Sequence, residues 1–379
     1  RGESKSSRRD KDKDEDKERR KKHRKKRSKE KEREREQELV PVIHMPIPFD
    51  TVVPTDFESK TTVGIGTFGR VKLVKYKPSG EVYVLKIMNK RRLIALRQLT
   101  HITAEKDILK MVKNPFISKL HGTFSDEEHI YMCFEFVPGG ELFHHLKVNG
   151  SFPLEVVKFY AAELVIVLGY LHSLNVCYRD LKPENILLAA DGHLKLTDFG
   201  FAKLVTHKTY TQTGTPEYIA PEIINNTGHN KAVDWWSLGI LIYEMLAGYP
   251  PFCGDDPYET YHQILGGDLQ FPHNLDHFTI DIIKQLLQPD PTRRLGASTI
   301  TGTKDVMGHA FFYGINFMWL EKKLVRAPFV PKVQSETDTR YFPFYGPEDI
   351  PQCERDDLET DFGPVPEEQD EIDELFKGF

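Results

Sequence analysis

The sequence predicts an α+β fold of two lobes, a small β-rich lobe followed by a larger, mainly helical one. Three observations carry that prediction. From Phe57 to Phe136 the apolar residues fall in short runs rich in β-branched and aromatic side chains, separated by turn residues. From Leu154 onward they recur at helical intervals instead. Between the two lies Pro138-Gly139-Gly140, a break at which the first lobe hands over to the second. At 379 residues the chain exceeds one average domain, and its 39% hydrophobic content suffices for a sizeable core.

Residues 1–38 carry 19 Lys+Arg against 12 Asp+Glu and no aromatic residue. Such a segment cannot bury enough surface to offset chain entropy, so it reads as a charged, disordered extension or an exposed helix. Its densest part, Lys17 to Lys29, reads as solvated charge, with a nuclear-localisation or anionic-surface patch, nucleic acid included, as the alternative. Within it Lys25-Lys26-Arg27-Ser28 has the form of a basic phosphorylation site. Residues 39–55, with prolines at 41, 46, 48 and 54, read as an extended linker. In the small lobe, 56–136, Arg70 to Tyr76, the turn Pro78-Ser79-Gly80 and Glu81 to Met88 form a strand-turn-strand unit. Arg91 to Met111 has helical spacing, and Ile130 to Phe136 is another strand. The large lobe, 137–314, places helices at Leu154 to His172, Trp236 to Leu246 and Ile280 to Leu287. The last segment, 315–379, turns acidic, residues 346–379 holding 13 Asp+Glu against 2 Lys+Arg. The net charge of -5 therefore hides two tails of opposite sign around a nearly neutral body.

Four cysteines, Cys133, Cys177, Cys253 and Cys353, lie far apart, with no Cys-x-x-Cys pair or His-supported metal spacing, which predicts a reduced, intracellular protein. No apolar run approaches the ~18 residues of a membrane span, so a soluble chain is expected. The expected location is cytoplasmic, with the nucleus as a second compartment.

The strongest signal is a set of motifs in one order. Gly64-Ile65-Gly66-Thr67-Phe68-Gly69-Arg70-Val71 is followed by Lys86, then Tyr178-Arg179-Asp180-Leu181-Lys182-Pro183-Glu184-Asn185, Asp198-Phe199-Gly200 and Ala220-Pro221-Glu222. A lone Gly-x-Gly-x-x-Gly run also fits a dinucleotide loop or an ordinary turn. Five motifs in register leave chance negligible, and their order resembles the protein-kinase signature. The resemblance implies a bilobal kinase fold that uses ATP and Mg²⁺, with two ions in the active complex.

Phosphoryl transfer needs little covalent help, so a catalyst must place ATP, Mg²⁺ and a hydroxyl in line while neutralising phosphate charge. Gly64, Gly66 and Gly69 remove side chains so that backbone amides can approach the phosphates, and Val71 covers the adenine face. Lys86 reads as closing an apolar strand, with Glu105 on the following helix as its ion-pair partner. Asp180 is the expected acceptor of the substrate hydroxyl proton, and Lys182 stabilises the moving phosphoryl group. Asn185 and Asp198 hold the metal ions, and Thr215 bonds Asp180 and Lys182. Glu222 and Arg294 are expected to form a buried ion pair, structural rather than catalytic.

Tyr178 in place of the usual histidine, with Phe201-Ala202-Lys203, Gly214-Thr215-Pro216-Glu217-Tyr218, Asp234-Trp235-Trp236-Ser237-Leu238-Gly239 and Tyr249-Pro250-Pro251-Phe252, makes the chain similar to the AGC kinases. Within them it most resembles the cAMP-dependent kinase catalytic subunits, from about Phe57 to Phe379. The resemblance implies that Thr67, Phe68, Val84, Glu135, Val137, Glu141 and Leu187 join the glycines around ATP. It makes Thr211 the activation-loop phosphosite, cradled by His101, Arg179 and Lys203, with Thr209 and Thr213 as rival sites. Glu141, Glu184, Glu217 and Glu244 match positions that take basic residues before the phosphoacceptor, and Ile219 matches one that meets the residue after it. Serine/threonine kinase activity on basic peptides is implied, as is a separate cAMP-binding regulatory subunit met by Tyr210 and Tyr261. The ending Phe376-Lys377-Gly378-Phe379 implies a tail that wraps the small lobe and docks both aromatics there.

The chain departs from the pattern in places. Val84 stands where a smaller residue is usual, which predicts a tighter adenine pocket, and Gln212 replaces a hydrophobe. Phe342-Pro343-Phe344-Tyr345 resembles the family's tail tether without its two acids. Thr337-Asp338-Thr339 and the acidic tail also fit the catalytic region of a cGMP-dependent kinase. A pseudokinase scaffold is the alternative from another class, and the intact Lys86, Asp180, Asn185 and Asp198 count against it.

Overall fold

A computed structural model describes residues 47–379 except 67, 212, 274, 299 and 346–368. The readings made of the basic extension, Thr67, Gln212, Cys353 and the acidic run 346–368 lie outside the described residues. The small lobe is built on a five-stranded antiparallel sheet of order β1-β2-β3-β5-β4. Its strands are β1 (Phe57–Gly66), β2 (Gly69–Tyr76), β3 (Val82–Asn89), β4 (Leu120–Ser125) and β5 (His129–Glu135). Side chains alternate across a strand, so β3 turns Tyr83 and Leu85 to the outer face and Val84 and Lys86 to the inner one. Lys86 does not close its strand as the sequence suggested. It sits opposite Val71 and Met132, and β3 continues through Asn89.

The outer face is closed by the stretch before β1. Ile47 and Val52 are buried there among Tyr83, Leu85, Phe124, Tyr131 and Cys133, and Phe49 packs against them. The described part of the expected linker, 47–55, is therefore packed rather than free: Pro48 O accepts from the amides of Thr51 and Val52 in a turn, Pro54 opens a 3₁₀ turn over Pro54–Asp56, and the folded-back segment buries Ile47 and Val52. A Cβ on Gly122 would come 2.4 Å from the Phe49 ring, so that glycine is needed for the close approach.

The helical pattern from Arg91 to Met111 is two helices, α1 (Lys90–Ala95) and α2 (Leu99–Met111). The chain breaks at Arg97, whose φ of 55° lies in the left-handed region. The break pairs its own amides, Arg97 N–H donating to Ile94 O at 2.9 Å and Gln98 N–H to Leu93 O at 2.8 Å. Apolar periodicity is blind to one such residue.

The large lobe follows with α3 (Leu142–Asn149), α4 (Leu154–Ser173), the short strands β6 (Val176–Cys177), β7 (Ile186–Leu188), β8 (Leu194–Leu196) and β9 (Lys203–Leu204), then α5 (Pro221–Ile224) and α6 (Ala232–Ala247). α7 (Pro257–Gly266), α8 (His277–Leu286), α9 (Gly302–Met307) and α10 (Phe317–Glu321) complete it. α4 and α6 are buried nearly all round, as helices apolar on every face must be. The β7–β8 hairpin and the β6–β9 pair carry the loops that form the floor of the cleft.

After Ala327 the chain returns across the hinge. Pro331 Cγ lies 2.7 Å from where a Cβ of Gly139 would stand, and Tyr341 Cβ lies 2.4 Å from that of Gly140, whose φ is 72°. The chain then reaches α11 (Gln369–Leu375) on the small lobe. There Ile372 and Phe376 enter the core beside Met88 and Leu93, and Lys90 Nζ meets Asp373 Oδ1 at 2.6 Å. Lys106 donates to Gly378 O at 2.9 Å and sits 4.1 Å from the Phe379 ring centre.

Candidate active site

The cleft between sheet and helices has a cavity of about 270 Å³ whose lining includes Gly64, Val71, Val84, Lys86, Glu105, Glu135, Val137, Glu141, Asn185, Leu187 and Asp198. A second, of about 350 Å³, lies under the glycine loop between Gly66, Phe68, Gly69 and α2. The three glycines differ in what demands them. A Cβ on Gly69 would strike Ile87 O at 1.8 Å, whereas Gly64 and Gly66 have ordinary clearance within the chain. The chain's own packing thus requires only Gly69; bareness at Gly64 and Gly66 leaves backbone amides open to a ligand. Phe136, read from the sequence only as a strand end, and Phe342, read only as part of a tail motif, lie 5.7 Å apart and also line this cavity.

Lys86 Nζ donates to Glu105 at 2.8 and 3.0 Å and lies 4.0 Å from Asp198 Oδ1. Burial works against the Lys86 charge, but Glu105 and Asp198 outweigh it and hold the ammonium above its usual range. Glu135 is tied down by Lys195 Nζ at 2.6 Å and by the Lys119 amide at 2.7 Å.

The floor is the loop from Tyr178 to Asn185. Asp180 is only 5% exposed. Its carboxylate meets Lys182 Nζ at 3.1 Å, accepts from Asn185 Nδ2 at 2.7 Å, and accepts from Thr215 Oγ1 at 3.4 Å. Lys182 Nζ also donates to Thr215 Oγ1 at 3.0 Å, so the four predicted residues form one hydrogen-bonded group. Burial pushes the Asp180 carboxyl up, with Lys182 and Asn185 restraining it. Arg179 and Asp198 have φ of 69° and 50°, a left-handed conformation that costs side-chain-bearing residues free energy. Asp234, which the sequence marked only as part of a motif, holds the loop in place. Its carboxylate accepts from the amides of Tyr178 and Arg179 at 3.0 and 2.8 Å and meets His172 Nε2 at 2.7 Å.

Along the following segment Lys203 Nζ reaches the Thr209 hydroxyl at 3.0 Å and the Thr211 hydroxyl at 3.4 Å. Arg179 Nε donates to Phe201 O at 2.8 Å, while Arg179 Nη1 is buried without a partner among the described residues. His101 pairs with Gln98 at 2.9 Å. Tyr210 is exposed and Tyr261 half-buried.

Of the four predicted acids, Glu141, Glu184 and Glu244 are held above the ordinary carboxyl range by burial and by neighbouring carboxylates. Burial raises the Glu141 carboxyl, and Glu184 adds to it. Burial pushes Glu244 up to about 7, helped by Glu184 and Glu217. Tyr218 donates its hydroxyl to Glu244, and Ile219 is buried beside it in sequence. Glu222 and Arg294 make the expected pair, fork to fork at 2.7 and 2.9 Å, with Arg294 also bonding Ala232 O and Gln288 O. A larger cavity of about 640 Å³ adjoins this pair and contains none of the predicted catalytic groups.

Among the described residues no cluster of three His, Cys, Asp or Glu could hold a metal by itself. Asn185 and Asp198 offer two hard oxygen donors, which fits Mg²⁺ shared with phosphate oxygens and no dedicated protein cage. No helix among the described residues is long and apolar enough to cross a membrane.

Residues 57–312 match the family model described as protein kinase domain. The chain is 47% identical over 324 residues to a Homo sapiens protein named cAMP-dependent protein kinase catalytic subunit PRKX, covering 86% of this chain and 87% of that one. It is 47% identical over 308 residues to the Mus musculus protein of that name, covering 80% and 86%. The match to the cAMP-dependent protein kinase catalytic subunit of Dictyostelium discoideum is 48% over 295 residues, spanning 78% of this chain and 45% of that protein. With the glycine loop, the Lys86–Glu105 pair and the Asp180 group in one cleft, the chain belongs to the protein kinase family and is a serine/threonine kinase of the AGC type that uses ATP and Mg²⁺.

Proposed function

We propose that this kinase acts on serine or threonine in peptides that carry arginine two and three residues before the acceptor, and that a separate cAMP-binding regulatory subunit restrains it. The observation that carries the specificity is the group Glu141, Glu184, Glu217 and Glu244 beside the Asp180 loop, in which burial and then neighbouring carboxylates raise the proton affinity of Glu141, Glu184 and Glu244. Carboxylates crowded in this way are relieved by guanidinium, which pairs with them through two parallel hydrogen bonds. The regulatory partner is supported by the names of the relatives and by the exposed Tyr210.

In the proposed reaction the acceptor hydroxyl gives its proton to Asp180 as its oxygen bonds the γ-phosphorus. The bond from that phosphorus to the bridging oxygen breaks, and ADP leaves. Lys182, held by Thr215, faces the moving phosphoryl group, and Lys86, aimed by Glu105, faces the α- and β-phosphates. Two Mg²⁺ ions, when bound, neutralise phosphate charge; Asp198 and Asn185 Oδ1 would hold them, since Asn185 Nδ2 is committed to Asp180. Thr211 is the proposed activating phosphosite, with Arg179, Lys203 and His101 as its cradle.

The test is phosphate transfer from MgATP to an Arg-Arg-x-Ser peptide, alongside an Arg→Ala peptide and an Asp180→Asn enzyme. Transfer is expected only with intact peptide and intact enzyme. Transfer indifferent to arginine would remove the specificity reading and leave the kinase.

A further inference from the structure

Two buried nitrogens beside the activation segment lack a hydrogen-bond partner among the described residues: Arg179 Nη1 and His229 Nε2. His229 is 2% exposed, so no solvent makes good the missing bond. Its main chain exchanges two hydrogen bonds with Thr209, amide to carbonyl in each direction at 2.9 Å. Thr209 and Thr211, two residues apart, both turn their hydroxyls to Lys203 Nζ, at 3.0 and 3.4 Å. His229 is thereby fixed opposite Thr209 on the strand-like segment that carries Thr211.

The charged groups that face the His229 imidazole are Arg179, Glu222, Asp234 and Lys203. Both acids are already engaged. Glu222 is gripped by the Arg294 fork, and Asp234 by His172 and two backbone amides. What remains is an imidazole near two cations whose neighbouring carboxylates are both committed to other groups, and burial followed by Arg179 drives its pKa down to about 4. Two unpartnered buried nitrogens beside Lys203, with the nearby carboxylates already bonded elsewhere, have the chemistry of an anion site.

We propose that His229 binds the phosphate of phosphorylated Thr211 through Nε2, as a further ligand beside Arg179 and Lys203. The inference rests on the reading of Thr211 as the phosphosite. A phosphothreonine brings about two negative charges at neutral pH, which cancels the repulsion from Arg179 and Lys203 and draws a proton onto the ring. Phosphorylation at Thr211 is then accompanied by proton uptake at a residue 18 positions further along the chain.

The experiment uses the full chain with occupancy of Thr211 established by mass spectrometry, compared with Thr211→Ala. The ring nitrogens of His229 are followed by NMR against pH, their signal identified by its loss in His229→Gln. The titration midpoint is expected to rise by about one unit or more in the phosphorylated protein alone, a change of the size that one added charge contact produces. In His229→Gln, a phosphatase should release the Thr211 phosphate about fivefold faster, and His229→Lys should restore the slow release. If His229→Gln does not fold, the wild-type titration decides. An unchanged midpoint with phosphate present on Thr211 overturns the proposal and leaves the phosphosite intact. A shift of equal size in Thr211→Ala overturns it too. Active protein without phosphate on Thr211 removes both.

Discussion

Lys86 Nζ stands 2.8 Å from Glu105 Oε1 and 4.0 Å from Asp198 Oδ1, so a single ammonium joins the α2 helix to the Asp198 loop. Two unit charges at 4 Å in an intermediate dielectric attract by about 4 kcal/mol as an upper bound. Glu105→Gln keeps the shape and removes the charge, freeing Lys86 to swing toward Asp198. The expected loss in kcat is about 10- to 100-fold with a smaller change in melting temperature, since electrostatic positioning rather than packing is removed. Steady-state kinetics with ATP as the varied substrate check it; a fall confined to thermal stability would mean that the pair only holds α2.

If Glu244 takes a basic substrate residue as proposed, recognition of the peptide depends on pH. Its carboxyl, raised by burial and then by Glu184 and Glu217 to about 7, is largely protonated at pH 6 and ionised at pH 8. Only the ionised form pairs with guanidinium, so KM for an Arg-Arg-x-Ser peptide should rise about tenfold between pH 8 and pH 6, and Glu244→Gln should abolish that dependence. Folding stability has the opposite sign. The folded-state pKa lies above the ordinary 4.5, so ionisation of this group costs stability as pH rises from about 4.5 through 7. Glu244→Gln should therefore stabilise the protein at pH 8, by about 1–3 kcal/mol, and leave it unchanged at pH 4.5. Thermal unfolding at the two pH values reads this directly.

The Glu222–Arg294 pair is buried on both sides and hydrogen-bonded as a fork. Arg294→Ala strands a carboxylate in the core and should destabilise by about 3–5 kcal/mol. Arg294→Lys should recover little of it, because an ammonium cannot reproduce two parallel bonds along with those to Ala232 O and Gln288 O. Urea unfolding distinguishes the cases, and a lysine variant as stable as wild type would show that charge alone suffices.

Phe376 is 2% exposed in the small-lobe core, although only three residues follow it in the sequence given. Phe376→Ala should cost about 3–5 kcal/mol of local docking rather than unfold the sheet. Amide exchange in Gln369–Leu375 should rise sharply, that in β3 only slightly, and kcat should fall because Lys106, which holds the chain end, adjoins Glu105. Unchanged exchange across Gln369–Leu375 would disprove that the aromatic anchors this helix.

The parts of the site legible in the sequence are those whose spacing is local. The glycine loop, the stretch from Asp180 to Asn185 and Asp198 are short motifs in which each residue fixes the next. α4 and α6 were equally plain because burial on every face leaves an unbroken apolar run. Three features were not legible. The left-handed Arg97 splits a helix without altering the apolar period, and the prolines of 47–55 masked a segment that buries Ile47 and Val52. Asp234 and His229 act on the Arg179 loop and the Thr211 segment from far along the chain, and no local pattern links them; only the fold brings a distant carboxylate onto two backbone amides.

Gly139 and Gly140 connect the two lobes, and the space their missing side chains would fill is taken by Leu188 O and Pro331 at the first and by Tyr341 at the second. Any rotation that opens the cleft must therefore displace the tail along with the hinge. The two form one mechanical joint, and its stiffness is set in part by residues 192 and 201 positions downstream of the glycines. A ligand that needs a wider lobe angle therefore has to work against that strap as well as against the hinge.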